Sequence, residues 1–327
     1  MKYRSFSDLG WKVSEIGLGC WQIGWCWGDV SDYDARNVLK KSLDKGINFF
    51  DTSDTYGDGR SERFLSEIIK STSEKIFVTT KLGRRIRGTN YPRGYKHDPM
   101  EEFIDRSLKN LGIDCIDLVQ LHCPPSELIK KKVTFEIMDT FIKKGKIANY
   151  GVSVHTVEDA LEAIKYPNVK SIQIVFNIFR QKPAEIFLNQ AKKKNIAVIA
   201  RGPLASGLLT GEIDKNTKFP ENDHRNYNIK GEAFDIGDTF SGVDLEKGFE
   251  AIKMLKDILP ENFSLADLAL KWILMHDAVT VAIPGATNKI HVERNSSASD
   301  LKDISSILPK INSIYEELIK PDVHNRW

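Results

Sequence analysis

Eight short apolar runs punctuate this chain, and they constrain its fold more than any other feature. They are EIGLGC (15–20), NFFDTS (48–53), IFVTTK (76–81), CIDLVQLH (115–122), NYGVSV (149–154), SIQIVFN (171–177), AVIARG (197–202) and VTVAIPG (279–285). Their apolar stretches are continuous and rich in Val, Ile and Phe, the pattern of strands buried on both faces of a parallel sheet. Between them lie segments of helical periodicity: YDARNVLKKSLDKG (33–46), closed by Gly46, then VEDALEAIKY (157–166), AEIFLNQAKKKN (184–195) and SLADLALKWILMHD (264–277). Helix starts are predicted at Asp98-Pro99 with Glu101, at Thr156 with Asp159 and at Ser264 with Asp267. Eight strand–helix units run through 327 residues without a linker, a low-complexity tract or a shift in composition. That predicts an α/β fold, a single (β/α)8 TIM-barrel domain over residues 1–327 rather than an open sheet. A β-hairpin over 3–14, turning at Asp8-Leu9-Gly10, is expected to plug the bottom. Residues 203–244, rich in Gly, Asn and Asp, break the rhythm after the seventh run and are expected as a long loop on the chemical face.

Charge narrows the partners. Lys and Arg number 47 against 45 Asp and Glu, a net charge of +2. Such a balance leaves no electrostatic footprint for nucleic acid or an acidic membrane. No stretch approaches the ~18 consecutive apolar residues of a membrane span, and MKYRSFSDLGWKV has no apolar signal core. Cys20, Cys26, Cys115 and Cys123 form no C-x-x-C pair and are too sparse for a disulfide framework. The expectation is a cytoplasmic protein acting on a small molecule.

In such a barrel the residues at the C-terminal ends of the strands converge at the top. Here they are Asp51 and Ser53, Lys81, His122, Ser153, Asn177 and Arg201, with Gln173 polar inside an apolar strand and Tyr56 in the short loop after the second strand. A half-buried Lys81 requires a partner, and Asp51 is the natural one. Tyrosine is a poor acid, with an ordinary pKa of about 10, and a neighbouring ammonium stabilises the phenolate. Neutral His122 can donate a hydrogen bond to a substrate oxygen. The group can therefore protonate an oxygen that gains negative charge. There is no G-x-S-x-G, and neither Cys20 nor Cys123 has a base beside it in sequence. Only one strand ends in His and one in Asp, too few for a metal centre. Proton donation without a nucleophile fits reduction of a carbonyl by hydride from a cofactor. The acidic stretch FDTSDTYGDGRSE (50–62) is accordingly neither a calcium loop, since Leu65 stands where the bidentate Glu belongs, nor a phosphate cradle, since it lacks Gly-Lys-Ser/Thr. Its Ser61-Glu62 is expected to open the next helix.

FDTSDTYGDGRSE, VTTKLG, LVQLHCP, YGVS, QIVFN, RGPLASGLLTG and IPGATNKIHVERN resemble, in order, the motifs of the aldo-keto reductases, in a bacterial-type member. The resemblance covers nearly the whole chain. It implies a barrel binding a nicotinamide cofactor, NADP(H) ahead of NAD(H), across its top, and NAD(P)H-dependent reduction of an aldehyde or ketone. By the same resemblance Tyr56 is the proton donor, Lys81 and Asp51 tune it, and His122 orients the carbonyl. Ser153 and Gln173 match contacts to the carboxamide. Arg201 stands where many members place an aromatic ring on the nicotinamide. Leu204 and Ser206 match pyrophosphate contacts; Gly285, Thr287, His291 and Asn295 lie in the motif of the adenosine end. Val154 replaces a common Asn, Pro125 a common Asp, Thr287 a common Arg, and His291 a residue that is often Arg or Gln. Lys289, His291 and Arg294 are left to hold a 2′-phosphate. A second reading is a cofactor-binding regulatory subunit with slow turnover, like the potassium-channel β-subunits of the family.

Two segments bear on the substrate. Trp21, Trp25 and Trp27 in CWQIGWCWG are read as a substrate-pocket wall rather than core, suited to apolar or sugar-ring faces. GRRIRGTNYPRGYKHD carries Arg84, Arg85, Arg87, Arg93 and Lys96. It is read as a solvated basic loop; the sharper expectation is attraction of a phosphorylated or acidic sugar aldehyde. Trp327 is expected to cap the barrel wall.

Overall fold

The computed structural model describes residues 1–86 and 88–327, apart from the side chains of 88–90. Arg87 of the basic loop therefore lies outside the described residues. The chain opens with an antiparallel hairpin, β1 (Tyr3–Phe6) and β2 (Trp11–Ser14), with Tyr3 opposite Ser14. Eight strands follow: β3 (Leu18–Gly19), β4 (Phe49–Asp51), β5 (Phe77–Leu82), β6 (Ile116–His122), β7 (Ile147–Ser153), β8 (Val169–Val175), β9 (Ala197–Arg201) and β10 (Val279–Ala282). They form one parallel sheet in sequence order. Parallel bridges Ile16↔Ala282 and Gly19↔Gly285 connect its last strand to its first, so the sheet curls round to meet itself as in a TIM barrel.

The strands differ in length from the apolar runs at several ends, most of all at the first run, which yields only Leu18–Gly19. Two glycines explain the close fit there. A Cβ at Gly17 would stand 2.9 Å from Phe49 O, and one at Gly19 2.9 Å from Ile283 O. Side chains inside the sheet form a small core of Phe6, Val13, Phe49, Phe77, Leu118, Ile199 and Val281. Phe6 stacks on Phe49 at 5.5 Å and Trp11 on Phe77 at 4.6 Å. Phe49 and Phe77 begin their strands, so the hairpin closes the N-terminal end and leaves the other end for chemistry.

The helix Asp32–Asp44 is capped by Ser31, whose side chain accepts from Asp34 N, and Gly46 follows its end at φ +76°. Thr156 and Ser264 cap their helices as predicted. Asp98 does not cap. The helix His97–Leu111 starts two residues earlier, at an N-cap Lys96 with no side-chain bond, and Asp98 meets His97 Nδ1 at 2.9 Å instead. Pro99 is tolerated there because amides of the first turn have no intrahelical acceptor to lose. Between β9 and the helix Leu245–Asp257 the chain forms no strand, only the short helices Ala205–Thr210, His224–Tyr227, Ile236–Asp238 and Phe240–Gly242. Buried Trp327 braces this segment: its indole donates to Asp235 Oδ1 at 3.1 Å and lies 3.8 Å from the Arg180 guanidinium. Among the described residues no helix is long and apolar enough to cross a membrane.

Candidate active site

Parallel register sets the site. Asp51 pairs with Thr79 in β5, Lys81 with Gln120 in β6, and His122 with Ser153 in β7, which pairs with Gln173 in β8. Lys81, two residues beyond Thr79, thus points to the same face as Asp51 and one step higher. The consequence is a buried ion pair: Lys81 Nζ lies 2.6 Å from Asp51 Oδ1, with the two side chains 1% and 4% exposed. Nζ also donates to Thr52 O at 2.8 Å and to Tyr56 OH at 3.3 Å. The second Asp51 oxygen accepts from Gln173 Nε2 at 2.7 Å. The Tyr56 and His122 rings meet edge to face at 6.2 Å, and Ser53 Oγ engages His122 Nδ1 at 3.3 Å, leaving Nε2 for a substrate oxygen.

Burial would lower the Lys81 ammonium, but the Asp51 charge and its bonds to Asp51 and Tyr56 outweigh it and raise its pKa. Burial pushes the Tyr56 phenol up; the lowering by Lys81 expected from sequence is present and outweighed. The phenol is therefore held protonated, as a proton donor requires. Burial, then the cations Arg84, Lys81 and Arg201, holds His122 well below its ordinary pKa, hence neutral.

Asp51, Tyr56 and His122 border a cavity of about 1180 Å³, with Lys81 behind them, and the cavity also takes in Trp21, Trp25 and Trp27. Trp21 stacks on Tyr56 at 6.0 Å and meets Trp27 edge on at 5.7 Å; Trp25 is 48% exposed at the mouth. Ser153, Gln173, Arg201, Leu204, Ser206, Gly285, Thr287, His291 and Asn295 line the same cavity. The volume exceeds that of ordinary small-ligand sites, roughly 300–1,000 Å³, and suits an extended dinucleotide with a small substrate. Gln22 Oε1, Trp27 Nε1 and Arg201 Nε, buried in residues of this lining, have no partner among the described residues. Leu204 (φ −106°) followed by left-handed Ala205 (φ 46°) turns backbone in the manner of an anion nest. The residues present therefore fit a nicotinamide dinucleotide. Some proposed contacts are otherwise engaged: Ser206 Oγ bonds Asp238 O at 3.3 Å and accepts from Phe240 N at 3.1 Å, and His291 Nδ1 engages Thr287 Oγ1 at 3.2 Å.

Residues 15–316 match the sequence profile of the aldo/keto reductase family. The chain belongs to this family. An aldo-keto reductase of Bacillus subtilis, YhdN, is 30% identical to it, with 94% of each chain covered. The yeast Schizosaccharomyces pombe has an NADP(+) aldo-keto reductase, yakc, 28% identical, covering 89% of this chain and 85% of its own. The solved structure of an aldo-keto reductase from Bacillus halodurans in its holo form superposes with a TM-score of 0.76 at 25% identity, covering 100% and 99% of the two chains.

Around the site of this reductase stand groups the sequence reading left out. Tyr95 OH donates to His122 O at 2.6 Å and Tyr91 OH to Cys123 O, bracing the turn after β6. Gln120, buried inside the sheet, bonds Thr79 Oγ1 at 3.2 Å beneath Asp51. Asp54, in the turn after β4, is fully buried. Cys123, dismissed for want of a base nearby in sequence, meets one in space: burial raises its thiol, but His155, Arg84 and Arg201 bring it down to about 6. Asp238, from the segment after β9, pairs with Arg201.

Proposed function

We propose that this reductase moves hydride from NADPH to an aldehyde or ketone, with Tyr56 giving the proton. The observation that carries the reading is the Asp51–Lys81–Tyr56 chain, 2.6 Å and 3.3 Å long, beside neutral His122 in one large cavity. The dinucleotide, when bound, supplies the hydride. The protein supplies the rest. His122 Nε2 holds the carbonyl oxygen. Tyr56 transfers its proton to that oxygen as negative charge develops there. Lys81, fixed by Asp51, stabilises the phenolate left behind. Dry surroundings strengthen each of these interactions.

NADPH is placed ahead of NADH because the chain is related to an NADP(+) enzyme, and because Arg294 borders the cavity with His291 near Thr287. Arg294 is, however, paired with Glu212 at 3.1 Å, which weakens the clamp on a 2′-phosphate. The tryptophan wall suits the apolar face of a sugar-derived carbonyl, phosphorylated ones included. A regulatory subunit that only holds the cofactor would share the same four residues; turnover separates the two. The test is a cofactor-consumption screen over aldehydes and keto-sugars with NADPH and NADH. Rapid NADPH oxidation with at least one class is expected, and tight NADPH binding without appreciable turnover on any of them contradicts the reading.

A further inference from the structure

Of the basic loop after β5, only part bears on the cavity. Arg85 is bound to Asp58 at 2.7 Å and donates to Asp54 O at 3.0 Å, while Arg93 and Lys96 are exposed. Arg84 instead borders the cavity together with Tyr56, His122 and Arg201. β5 and β9 are four strands apart in an eight-stranded sheet that meets itself, so Arg84 and Arg201 arise on opposite sides of the mouth and converge on His155.

The convergence is electrostatically incomplete. Arg84 Nη2 lies 3.0 Å from His155 Nε2, and Arg201 Nη2 3.3 Å from His155 Nδ1. A neutral imidazole accepts at one nitrogen only, so one of these guanidinium groups faces an N–H. Arg201 has Asp238 as its counter-ion. Arg84 has no carboxylate within hydrogen-bonding distance among the described residues: its partners are the neutral Tyr91 OH at 3.4 Å and His155, and its one ion pair is a long one, 3.9 Å to Oδ2 of the Asp238 that Arg201 already holds. The Arg84 side chain is only 24% exposed. Further back, Arg180 adds a cation and Asp235 an anion. Cys123 and His155 contribute nothing to the sum, whether both are neutral or paired as thiolate and imidazolium. Lys81 and Asp51 cancel. Among the described residues, three guanidinium groups thus face two carboxylates, and one positive charge remains.

We propose that Arg84, with Arg201 behind it, is a subsite for a carboxylate carried by the carbonyl substrate. One surplus charge matches a monoanion; a phosphate monoester, near −2, would leave a charge uncompensated. The planar fork of a guanidinium also fits a carboxylate with two parallel bonds. Pyrophosphate contacts of a bound dinucleotide are assigned to Leu204 and Ser206, which follow β9 on the far side from Arg84. The proposal narrows the substrate class of the reductase and rests on that reading.

The test compares kcat/KM for 4-oxobutanoate against butanal and for 5-oxopentanoate against pentanal, with glyceraldehyde 3-phosphate against glyceraldehyde as a third pair. Wild-type protein is expected to favour the oxo acids by about 10- to 100-fold, the range of a charge-assisted bond. In Arg84→Met that ratio falls to about one, and Arg84→Lys retains part of it. Equal rates within the oxo-acid pairs, a preference that survives Arg84→Met, or a larger preference in the phosphate pair overturns the carboxylate subsite while leaving the reductase reading in place. If none of the six compounds is reduced with either cofactor, the reductase reading is what fails for them. Calorimetric titration with pentanoate, a monoanion, then judges the subsite by itself: binding to wild type that Arg84→Met abolishes supports it, and no binding to wild type overturns it.

Discussion

Two sides of one cavity are built on opposite principles. At the ends of β4, β5 and β6 the charges are matched and dry: Lys81 is 1% exposed, ion-paired to Asp51 and bonded to Thr52 O and Tyr56 OH. Beyond the strand ends, Arg84, His155 and Arg201 converge from both sides of the mouth with donors against donors and too few anions among the described residues. Satisfied groups fix a proton donor in place before any substrate arrives, which is what preorganised catalysis demands. Unsatisfied groups are costly at rest, and that cost is recovered only when a ligand brings the missing charge.

The sharpest way to break the matched side is Lys81→Met. Turnover is expected to fall by about 10²–10⁴-fold. Leaving Asp51 buried without its partner is expected to cost about 3–5 kcal/mol of stability, read by denaturant melts. Adding Asp51→Asn to that variant is expected to return part of the stability and none of the activity, since an uncharged pair needs no counter-ion. If the double variant is no more stable than Lys81→Met, the ion pair is not what holds that side together.

A milder change lies next to it. Burial, then the Glu62 charge, pushes the Asp54 carboxyl up to about 7, above its value of about 3.9 in an unfolded chain. Between those values the native state holds more protons than the unfolded one, so stability from this group falls as pH rises through the window. Asp54→Asn removes the ionisation. Its gain in Tm over wild type is expected to grow from about pH 5 to about pH 8. A gain that is flat or shrinks over that range contradicts the assignment.

The smallest effects belong to the solvent-facing end of the cavity, where Arg294 and Glu212 are 62% and 65% exposed. Arg294→Ala is expected to raise the KM for NADPH several-fold and Glu212→Gln to lower it, with little change for NADH in either. Added salt should shrink both differences, because exposed charges are screened.

What the sequence disclosed follows the same division. Asp51, Lys81, His122, Ser153 and Gln173 sit in or at the ends of apolar strands, so periodicity alone places them on one rim once a barrel is inferred. Tyr56 follows within a five-residue turn and was legible for that reason. His155 lies between the end of β7 and the Thr156 cap of a helix, and Asp238 lies in a stretch with no strand and no repeat. Their meeting with Arg84 spans more than 150 residues of chain and leaves no periodic trace. Charge counting on the sequence saw a basic loop; only placement showed that Arg85 turns to Asp58, which it shares with Arg106, whereas the nearest described carboxylate to Arg84 is 3.9 Å away. Asp98 was misplaced as a cap because the bond it makes with His97 competes with the backbone.

The central claim is that Tyr56, held by Lys81, is the acid of a carbonyl reduction. It is tested most directly by Tyr56→Phe, with NADPH affinity followed by fluorescence quenching and turnover by nicotinamide absorbance on the best aldehyde from the screen. The account predicts unchanged cofactor affinity and turnover lower by about 10²–10⁴-fold at every pH examined. Turnover equal to wild type would contradict it.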